Sequence, residues 1–365
     1  MNYKIIGVMT GTSMDGLDCS YLETNGDDFV KIIKEKSFIY DKKYRKSLRK
    51  LIDKKPENKK DQIKYFKDNE RFVTKKIIDI LKKFISYIQQ DNKNIDFISY
   101  SGQTVFHNPK KKYSIQIGSS KEINRFFLIP VISNFRENDL VNGGQGAPIG
   151  SFYHGYILKK ITNNSAIINL GGICNITYYD KKNLISFDMG PANTIIDNLM
   201  NFFYRKKFDE FGKVAKKGKK ITSVFKEFKS DIYFKKEYPK SLDIDYFSKY
   251  VELLKKYNPE DALYTATMMT SESIFMGIKL LKKNIKTIVL TGGGRKNNFL
   301  LSNVIKRAKK LNIIIMKIDD YGYDGDLLEA QMFGYLGIRS YKKMIISTPL
   351  TTGVKKKISG GKIYR

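Results

Sequence analysis

The chain has 365 residues, a length that suits two domains better than one, and 41% of them are hydrophobic, enough to form a sizeable core. The formal net charge is +30, but the lysines form scattered pairs and no long basic tract, which favours solvated surfaces over a nucleic-acid-binding face. No apolar run reaches the roughly 20 residues of a membrane span, no segment has the features of a signal peptide, and two cysteines are too few for a secreted disulfide framework. We therefore expect a cytoplasmic protein that binds neither nucleic acid nor membrane.

The first half of the chain opens with a strand, a turn and a second strand. The pattern then predicts two helical stretches, three short strands and one helix. In chain order these elements cover residues 5–9, 17–23, 42–53, 59–90, 94–100, 114–117, 129–133 and 152–160.

The second half repeats the opening pattern of strand, glycine turn and strand at residues 166–179. A strand to residue 187, a helix over 193–203, a long basic and helical middle, a strand over 287–290, a helix from about 297, a strand over 313–318 and a helix over 327–342 follow. Alternating strands and helices predict α/β sheets covered by helices. The repeat predicts two similar halves with a cleft between them.

Three glycine turns each follow a strand-like run. They comprise residues 11–16, 169–172 and 291–294. Because glycine has no Cβ, the backbone N–H groups of such turns can approach an anion closely. We interpret the three turns as binding the phosphates of a nucleotide.

Several segments, in order along the whole chain, resemble the anhydro-N-acetylmuramic acid kinases of the superfamily of sugar kinases, heat-shock chaperones and actin. They read GVMTGTSMDGLD at 7–18, SGQTVFHNP at 101–109, NFRENDLVNGGQGAP at 134–148, NLGGICNIT at 169–177, FDMGPAN at 187–193, FDEFGKVAKKG at 208–218, TGGGRKN at 291–297 and GDLLEAQMFGYLGIR at 325–339. The resemblance implies an α/β fold of two ribonuclease-H-like (actin-like ATPase) domains with a nucleotide cleft between them. We expect the domains to cover residues 1–148 and 149–339, with residues 340–365 packing back on the first.

The resemblance also implies a reaction. ATP with Mg²⁺ would phosphorylate O6 of 1,6-anhydro-N-acetylmuramic acid as water opens the anhydro ring, giving N-acetylmuramic acid 6-phosphate and ADP in peptidoglycan recycling and amino-sugar catabolism. Asp188, which follows a strand, would be the general base that takes the proton of the water, as a carboxylate does in inverting glycosidases. The family further implies a homodimer.

Other site residues are carried over from the family's motifs. Asp15 would order Mg²⁺ through water. Arg136 and Glu329 would contact the sugar, with Gln103 and Asn175 as further polar candidates in the cleft. His107 is expected to face the cleft, whereas His154 is expected on a helix surface. The ATP phosphates would be bound by Gly11, Thr12, Ser13, Met14, Asp15, Gly16, Leu17, Asp18, Gly171 and Gly172, and the adenosine by Gly292, Gly293 and Gly294.

Some positions depart from the family's pattern. The family has His at Ser101, Asp at Asn134, Thr at Met189, Gly at Ala192, and Thr-Gly-Arg-Glu at Leu242 to Asp245. These departures keep two alternatives open: a catalytically silent nucleotide-binding protein, and a kinase for a different sugar or a short carboxylic acid. A third alternative, nucleic-acid binding through the net charge, predicts retention on DNA or RNA that survives physiological salt.

Overall fold

A computed structural model describes residues 1–11, 14–89, 94–108, 111–161, 164–243 and 245–365. The strands are β1 (Tyr3–Met9), β2 (Gly16–Thr24), β3 (Val30–Ile39), β4 (Phe97–Tyr100), β5 (Gln103–Asn108), β6 (Tyr113–Ile117), β7 (Val131–Ser133), β8 (Ser165–Leu170), β9 (Ile173–Tyr179), β10 (Leu184–Pro191), β11 (Thr287–Thr291), β12 (Ile314–Lys317) and β13 (Lys362–Tyr364). The helices are α1 (Lys42–Asp53), α2 (Lys59–Asp68), α3 (Arg71–Gln89), α4 (Ser120–Phe127), α5 (Glu137–Val141), α6 (Ser151–Lys160), α7 (Asn193–Tyr204), α8 (Thr222–Lys229), α9 (Ser248–Leu254), α10 (Pro259–Leu281), α11 (Asn298–Lys309) and α12 (Leu328–Tyr341).

The helix boundaries follow local chemistry. Asp41, Asn58 and Asn258 each precede a helix, and each side chain accepts a hydrogen bond from an N–H of its first turn. Such caps satisfy N–H groups that the helix itself leaves without a partner. The helical stretch predicted over 59–90 is two helices, α2 and α3, and its last residue lies outside the described residues. No helix among the described residues has the length and apolar character needed to cross a membrane.

The chain divides into two compact units. The first unit comprises Met1–Tyr153 and Leu327–Arg365, and the second comprises His154–Asp326. Residues 327–339, which the sequence placed in the second domain, therefore belong to the first unit. The reason is a close contact of α12 with β1: a Cβ on Gly7 would lie 2.0 Å from the carbonyl oxygen of Ala330.

The first unit contains a six-stranded sheet in the order β13-β7-β4-β1-β2-β3. Strands β1, β2 and β3 are antiparallel neighbours, whereas β4 is parallel to β1 and β7 is parallel to β4. Both faces of β1 are covered, since Ile6 and Val8 join the core formed with α3 while Gly7 faces α12. This explains why β1 reads as a continuous apolar run.

The second unit contains a five-stranded sheet in the order β10-β9-β8-β11-β12. Strands β8, β9 and β10 are antiparallel neighbours, and β11 and β12 continue the sheet parallel to β8. This repeats the connectivity of the first sheet without β13. The two similar halves predicted from the repeat at 166–179 are therefore confirmed, and both sheets agree with the ribonuclease-H-like fold that the resemblance implies.

The buried helix α10 supports the second sheet. It packs so closely on β10 that a Cβ on Gly277 would lie 2.4 Å from Cε of Met189. On α6, His154 is also buried, with Nδ1 2.9 Å from Oγ1 of Thr177. The surface position predicted for His154 is wrong, because its ring packs against β9 and does not face solvent.

Candidate active site

The first glycine turn joins β1 to β2. Thr12 and Ser13 lie outside the described residues, but the carbonyl of Gly11 is well fixed. It accepts hydrogen bonds from the Met14 N–H at 3.1 Å and from Nε2 of Gln103 at 3.1 Å. Gln103 is fully buried, and its Oε1 accepts a hydrogen bond from Thr10 Oγ1. The structure thus places Gln103 beside the turn, where its amide binds the Gly11 carbonyl, and the sugar contact expected from the sequence stays a prediction.

The residues after this turn point in different directions. Asp15 is about half exposed and forms an ion pair with Arg45 of α1, 2.7 Å apart. Leu17 is fully buried in the core, so its side chain is turned away from any phosphate. Gly16 lies against β3, where a Cβ would be 2.5 Å from the Phe38 carbonyl oxygen. Asp18 faces Ser37 across β2 and β3 and accepts its hydroxyl hydrogen bond.

Asp18, Arg136 and Glu329 form one electrostatic group in the first unit. Glu329 lies in the first turn of α12 and is reached by solvent. The protein atoms around Glu329 still reduce its solvation, and this raises its pKa. The charge of Asp18 raises the pKa further, and the Arg136 guanidinium lowers it. The fold therefore brings together Arg136 and Glu329, the two residues expected to contact the sugar, and Asp18, the last residue of the segment over 7–18.

A glycine-rich loop supports Arg136. Nη1 of Arg136 donates to the Gly146 carbonyl at 2.6 Å, and the Gly146 N–H donates to Oδ1 of Asp139 at 2.7 Å. Asp139 is buried, and a Cβ on Gly144 would lie 2.1 Å from its Oδ1. The loop over 142–148 thus folds around the Asp139 carboxylate, which the sequence reasoning did not single out.

The second glycine turn, in the second unit, is fixed through its carbonyl groups by the start of α7. The Gly171 carbonyl accepts from the Asn193 N–H at 3.0 Å, and the Gly172 carbonyl accepts from the Thr194 hydroxyl at 2.7 Å. Nδ2 of Asn193 also donates to the Leu170 carbonyl at 2.9 Å. In a trans peptide the C=O of one residue and the N–H of the next point in opposite directions. Because the Leu170 and Gly171 carbonyls both bind Asn193, the N–H groups of Gly171 and Gly172 point away from α7.

The third glycine turn packs against the second. Gly292 has a φ of +77°, and a Cβ there would lie 2.4 Å from Oδ1 of Asn169. A Cβ on Gly294 would lie 2.7 Å from Cβ of Leu170, whereas one on Gly293 would meet nothing within 4 Å. Gly292 and Gly294 are thus required by packing, and Gly293 leaves open space.

Arg295 fixes the third turn from behind. Its guanidinium is buried and binds Asp319 through Nε at 2.7 Å and Nη2 at 2.9 Å, while Nη1 binds Asp326 at 2.7 Å and the Gly292 carbonyl at 3.1 Å. The hydrogen bond and charge of Arg295 hold the pKa of Asp319 down at about 2. Because this pairing satisfies the guanidinium from several sides, the backbone of the turn is held in one conformation.

Asp188 lies on β10 directly opposite Asn175 of β9, beside a bulge in the pairing. Its side chain is largely buried, and Oδ2 accepts a hydrogen bond from the Leu242 N–H at 2.8 Å. The Asp188 N–H donates to the Lys240 carbonyl at 2.9 Å, and its carbonyl accepts from the Tyr233 hydroxyl at 2.6 Å. The backbone and carboxylate of Asp188 are therefore oriented by one segment of chain about 50 residues away.

A sequence model described as anhydro-N-acetylmuramic acid kinase matches residues 3–365. The chain belongs to the anhydro-N-acetylmuramic acid kinase family. Proteins of that name from Pelagibacter ubique and Zymomonas mobilis are 36% and 33% identical to it, over 100% and 98% of this chain and 98% and 99% of theirs. The one from Agrobacterium fabrum is 31% identical over 99% of this chain and 98% of its own length.

Solved structures of more distant proteins resemble the chain weakly. The (R)-2-hydroxyglutaryl-CoA dehydratase component A of Acidaminococcus fermentans has a TM-score of 0.47 and 10% identity, covering 93% of this chain and 100% of that one. A ROK family glucokinase of Streptomyces griseus has a TM-score of 0.41 and 11% identity, covering 91% and 97%. The fold assignment rests on the two sheet topologies and on membership of the kinase family.

The departures from the kinase family's pattern can now be placed. Met189 is buried beside Cys174, with the two sulfurs 3.7 Å apart, and Ala192 is buried at the start of α7, where its N–H donates to Gly172. Leu242 reaches Asp188 through its backbone N–H, a contact that any residue except proline can make. The unusual side chain at residue 242 is therefore compatible with the orientation of Asp188.

Sequence reasoning missed the residues that position the candidate groups. Tyr233 and Lys240 contact Asp188 across a long stretch of chain, and Lys240 Nζ lies 4.4 Å from the centre of the Tyr233 ring. Burial lowers the pKa of Lys240 to about 8. The signal available in the sequence was the segment Tyr238 to Ser241, which contains a proline and interrupts an otherwise helical region just before the departure at Leu242.

Proposed function

We propose that this protein is an ATP-dependent kinase that opens 1,6-anhydro-N-acetylmuramic acid with water and phosphorylates O6, giving N-acetylmuramic acid 6-phosphate and ADP. One observation carries the proposal beyond family membership. The carboxylate of Asp188, within β10, is oriented by the Leu242 N–H, and this supports its use as a base despite the departures around it.

Asp188 acts as general base in this proposal. A water molecule attacks the anomeric carbon, a bond forms between them, and the bond from that carbon to O6 breaks. The proton of the water passes to the Asp188 carboxylate, and the electron pair left on O6 attacks the γ-phosphorus of ATP as ADP leaves. The Leu242 N–H orients the base. Orientation matters because proton transfer requires the acceptor to lie within hydrogen-bond reach of the water.

Arg136 and Glu329 hold the sugar in this proposal. The guanidinium of Arg136 is oriented by the Gly146 carbonyl, and a guanidinium pairs well with a carboxylate such as that of the lactyl group. Glu329 lies in the first turn of α12 and is reached by solvent, so its carboxylate can accept a hydrogen bond from a sugar hydroxyl. Asn175, opposite Asp188 on β9, is the further polar group proposed for the sugar.

The glycine turns fit a polyphosphate. The N–H groups of Gly171 and Gly172 point away from the helix that binds their carbonyls, and Gly293 leaves space where a side chain would otherwise stand. We propose that residues 11–18, Gly171 and Gly172 bind the phosphates. In this proposal Gly292, Gly293 and Gly294 lie on the adenosine side.

Asp15 and Asp18 supply the kind of oxygen that Mg²⁺ prefers. No group of three or more His, Cys, Asp or Glu side chains suited to a metal occurs among the described residues. We propose that a magnesium ion would be held mainly by phosphate and water, with Asp15 acting through water. When bound, Mg²⁺ would neutralise charge on the transferring phosphoryl group.

The decisive experiment incubates the protein with Mg-ATP and 1,6-anhydro-N-acetylmuramic acid in H₂¹⁸O and follows the sugar by mass spectrometry. We expect a 6-phosphate with one ¹⁸O, absent for Asp188→Asn and present for the control Asp180→Asn, whose carboxylate pairs with Lys283 in a surface turn. A phosphosugar without ¹⁸O would overturn the hydrolytic step. Absence of any product while ATP still binds would favour a different acceptor or a silent protein.

The homodimer implied by the family is part of the same proposal. Light scattering on the purified protein tests it, because a mass near that of one 42.2 kDa chain would contradict the dimer.

A further inference from the structure

His107 differs from His154, the other histidine of the chain, in the surroundings of its ring nitrogens. Both of its ring nitrogens are buried, and neither has a hydrogen-bond partner among the described residues. His154, by contrast, is paired with Thr177. A buried polar group that lacks a partner costs folding free energy, so such a group needs an explanation.

The ring is held in place by its strand. His107 lies near the end of β5, opposite Ser114 of β6, and the neighbouring Phe106 stacks on Tyr113 with ring centres 4.8 Å apart. The Ser114 hydroxyl donates to the Phe106 carbonyl at 3.0 Å. The residues next to His107 are therefore fixed by strand pairing, ring stacking and a hydrogen bond, which is the kind of support that an orienting group requires.

The surroundings of the ring connect it with Arg136. A Cβ on Gly146 would lie 3.4 Å from Cε1 of His107, and the Gly146 carbonyl accepts the hydrogen bond from Arg136. Arg136 in turn belongs to the electrostatic group with Glu329 and Asp18. His107 is thus continuous with the residues proposed to hold the sugar, in the same unit.

The ring is uncharged near neutral pH. Burial, and secondarily the charge of Arg136, lower the pKa of His107 to about 3. A neutral imidazole has one N–H donor and one acceptor nitrogen. That combination suits a hydroxyl or an amide, which can donate and accept, better than it suits a carboxylate or phosphate.

We propose that His107 binds an uncharged hydroxyl or amide group of the amino sugar, next to the carboxylate taken by Arg136, and so helps to determine which sugar is accepted. This inference rests on the proposed function, because the sugar is the substrate named there. His107 is a specificity residue in this account and takes no part in proton transfer.

The test observes the ring directly. Protein labelled with ¹⁵N-histidine has only two imidazoles, and their NMR signals are followed while 1,6-anhydro-N-acetylmuramic acid is added without ATP. We expect a saturable shift of the His107 signals with the His154 signals unchanged. Sugar binding detected by calorimetry without movement of His107 would overturn this inference alone. Failure of the sugar to bind at all would overturn it together with the proposed function.

Two variants separate recognition from folding. His107→Phe should raise the KM for the sugar about tenfold, the value of one lost hydrogen bond, while the KM for ATP stays constant. Its melting temperature without ligands should not fall, because the change removes a polar ring that lacks a partner. The control His154→Gln should lower stability and leave the sugar KM unchanged. A His107→Phe protein that melts earlier and keeps its sugar KM would show a purely structural histidine.

Discussion

Oδ2 of Asp188 accepts a hydrogen bond from the backbone N–H of Leu242, 2.8 Å away, so two residues far apart in sequence share the task of orienting the candidate base. The adjoining contacts, from the Asp188 N–H to Lys240 and from Tyr233 to the Asp188 carbonyl, attach the same segment to β10. The segment over 240–242 therefore contributes through its backbone, and Tyr233 adds a side-chain contact.

Replacing Leu242 with proline removes this N–H and provides a direct test. The hydrogen bond stabilises the charged carboxylate, so its loss makes protonation of Asp188 easier. We expect kcat to fall about tenfold or more and the acid limb of the pH profile of kcat to move to higher pH. Leu242→Met keeps the N–H and the buried volume and should preserve the profile. Equal profiles for both variants would contradict a role for this hydrogen bond.

Gly293 and Gly294 form a matched pair for the third turn. A methyl group on Gly293 meets nothing within 4 Å, so Gly293→Ala should leave the melting temperature unchanged but raise the KM for ATP, because the new methyl occupies space proposed for the nucleotide. Gly294→Ala should destabilise the protein by about 1–3 kcal/mol, since its Cβ would lie 2.7 Å from Leu170. Thermal melting measures the change in stability, and steady-state kinetics measure the KM for ATP. An unaltered ATP KM in Gly293→Ala would remove this turn from the nucleotide site.

The sequence predicted the elements that have a local signature. The three glycine turns and the strand before Asp188 are such elements, because strand residues and turn residues alternate within a few positions. The repeated topology of the two sheets also followed from the pattern at 166–179. These features needed no knowledge of distant contacts.

The remaining features depend on contacts between distant residues. Helix α12 belongs to the first unit because Gly7, which has no side chain, lets the helix pack closely on β1. Gln103 is buried because its amide forms hydrogen bonds with Thr10 and Gly11. His154 has a helical pattern around it that does not distinguish a surface from a covered face. Propensity and spacing contain no information about such partners, so these positions required the structure.

Arg295 should couple stability to nucleotide binding. Arg295→Met leaves Asp319 and Asp326 without their shared cation and removes the guanidinium hydrogen bond to the Gly292 carbonyl. We expect a loss of about 2 kcal/mol, reduced from the cost of a fully buried pair because both carboxylates are partly exposed. The KM for ATP should rise while the KM for the sugar stays constant. Lys296→Met is the control, since that exposed lysine touches only Asp326 in the same network and should change stability by less than about 1 kcal/mol. Similar losses for the two variants, measured by urea unfolding, would contradict a special role for Arg295.

His154 makes stability depend on pH in a predictable direction. Burial lowers the pKa of His154 from 6.5 to about 4, so between these values the unfolded chain binds a proton that the folded protein does not. The free energy of unfolding must then fall as the pH decreases through this window, and its contribution is fully present above pH 6.5.

For this single histidine the loss between pH 7 and pH 5 should be about 2 kcal/mol. The measurement is urea unfolding of the native protein and of His154→Gln at both pH values. Because His107 also has a lowered pKa and is present in both proteins, its contribution cancels in the comparison. The variant should start less stable, since it loses the fit of the ring against β9, but it should lose about 2 kcal/mol less on acidification. An equal loss in both proteins would show that His154 is not the group that titrates.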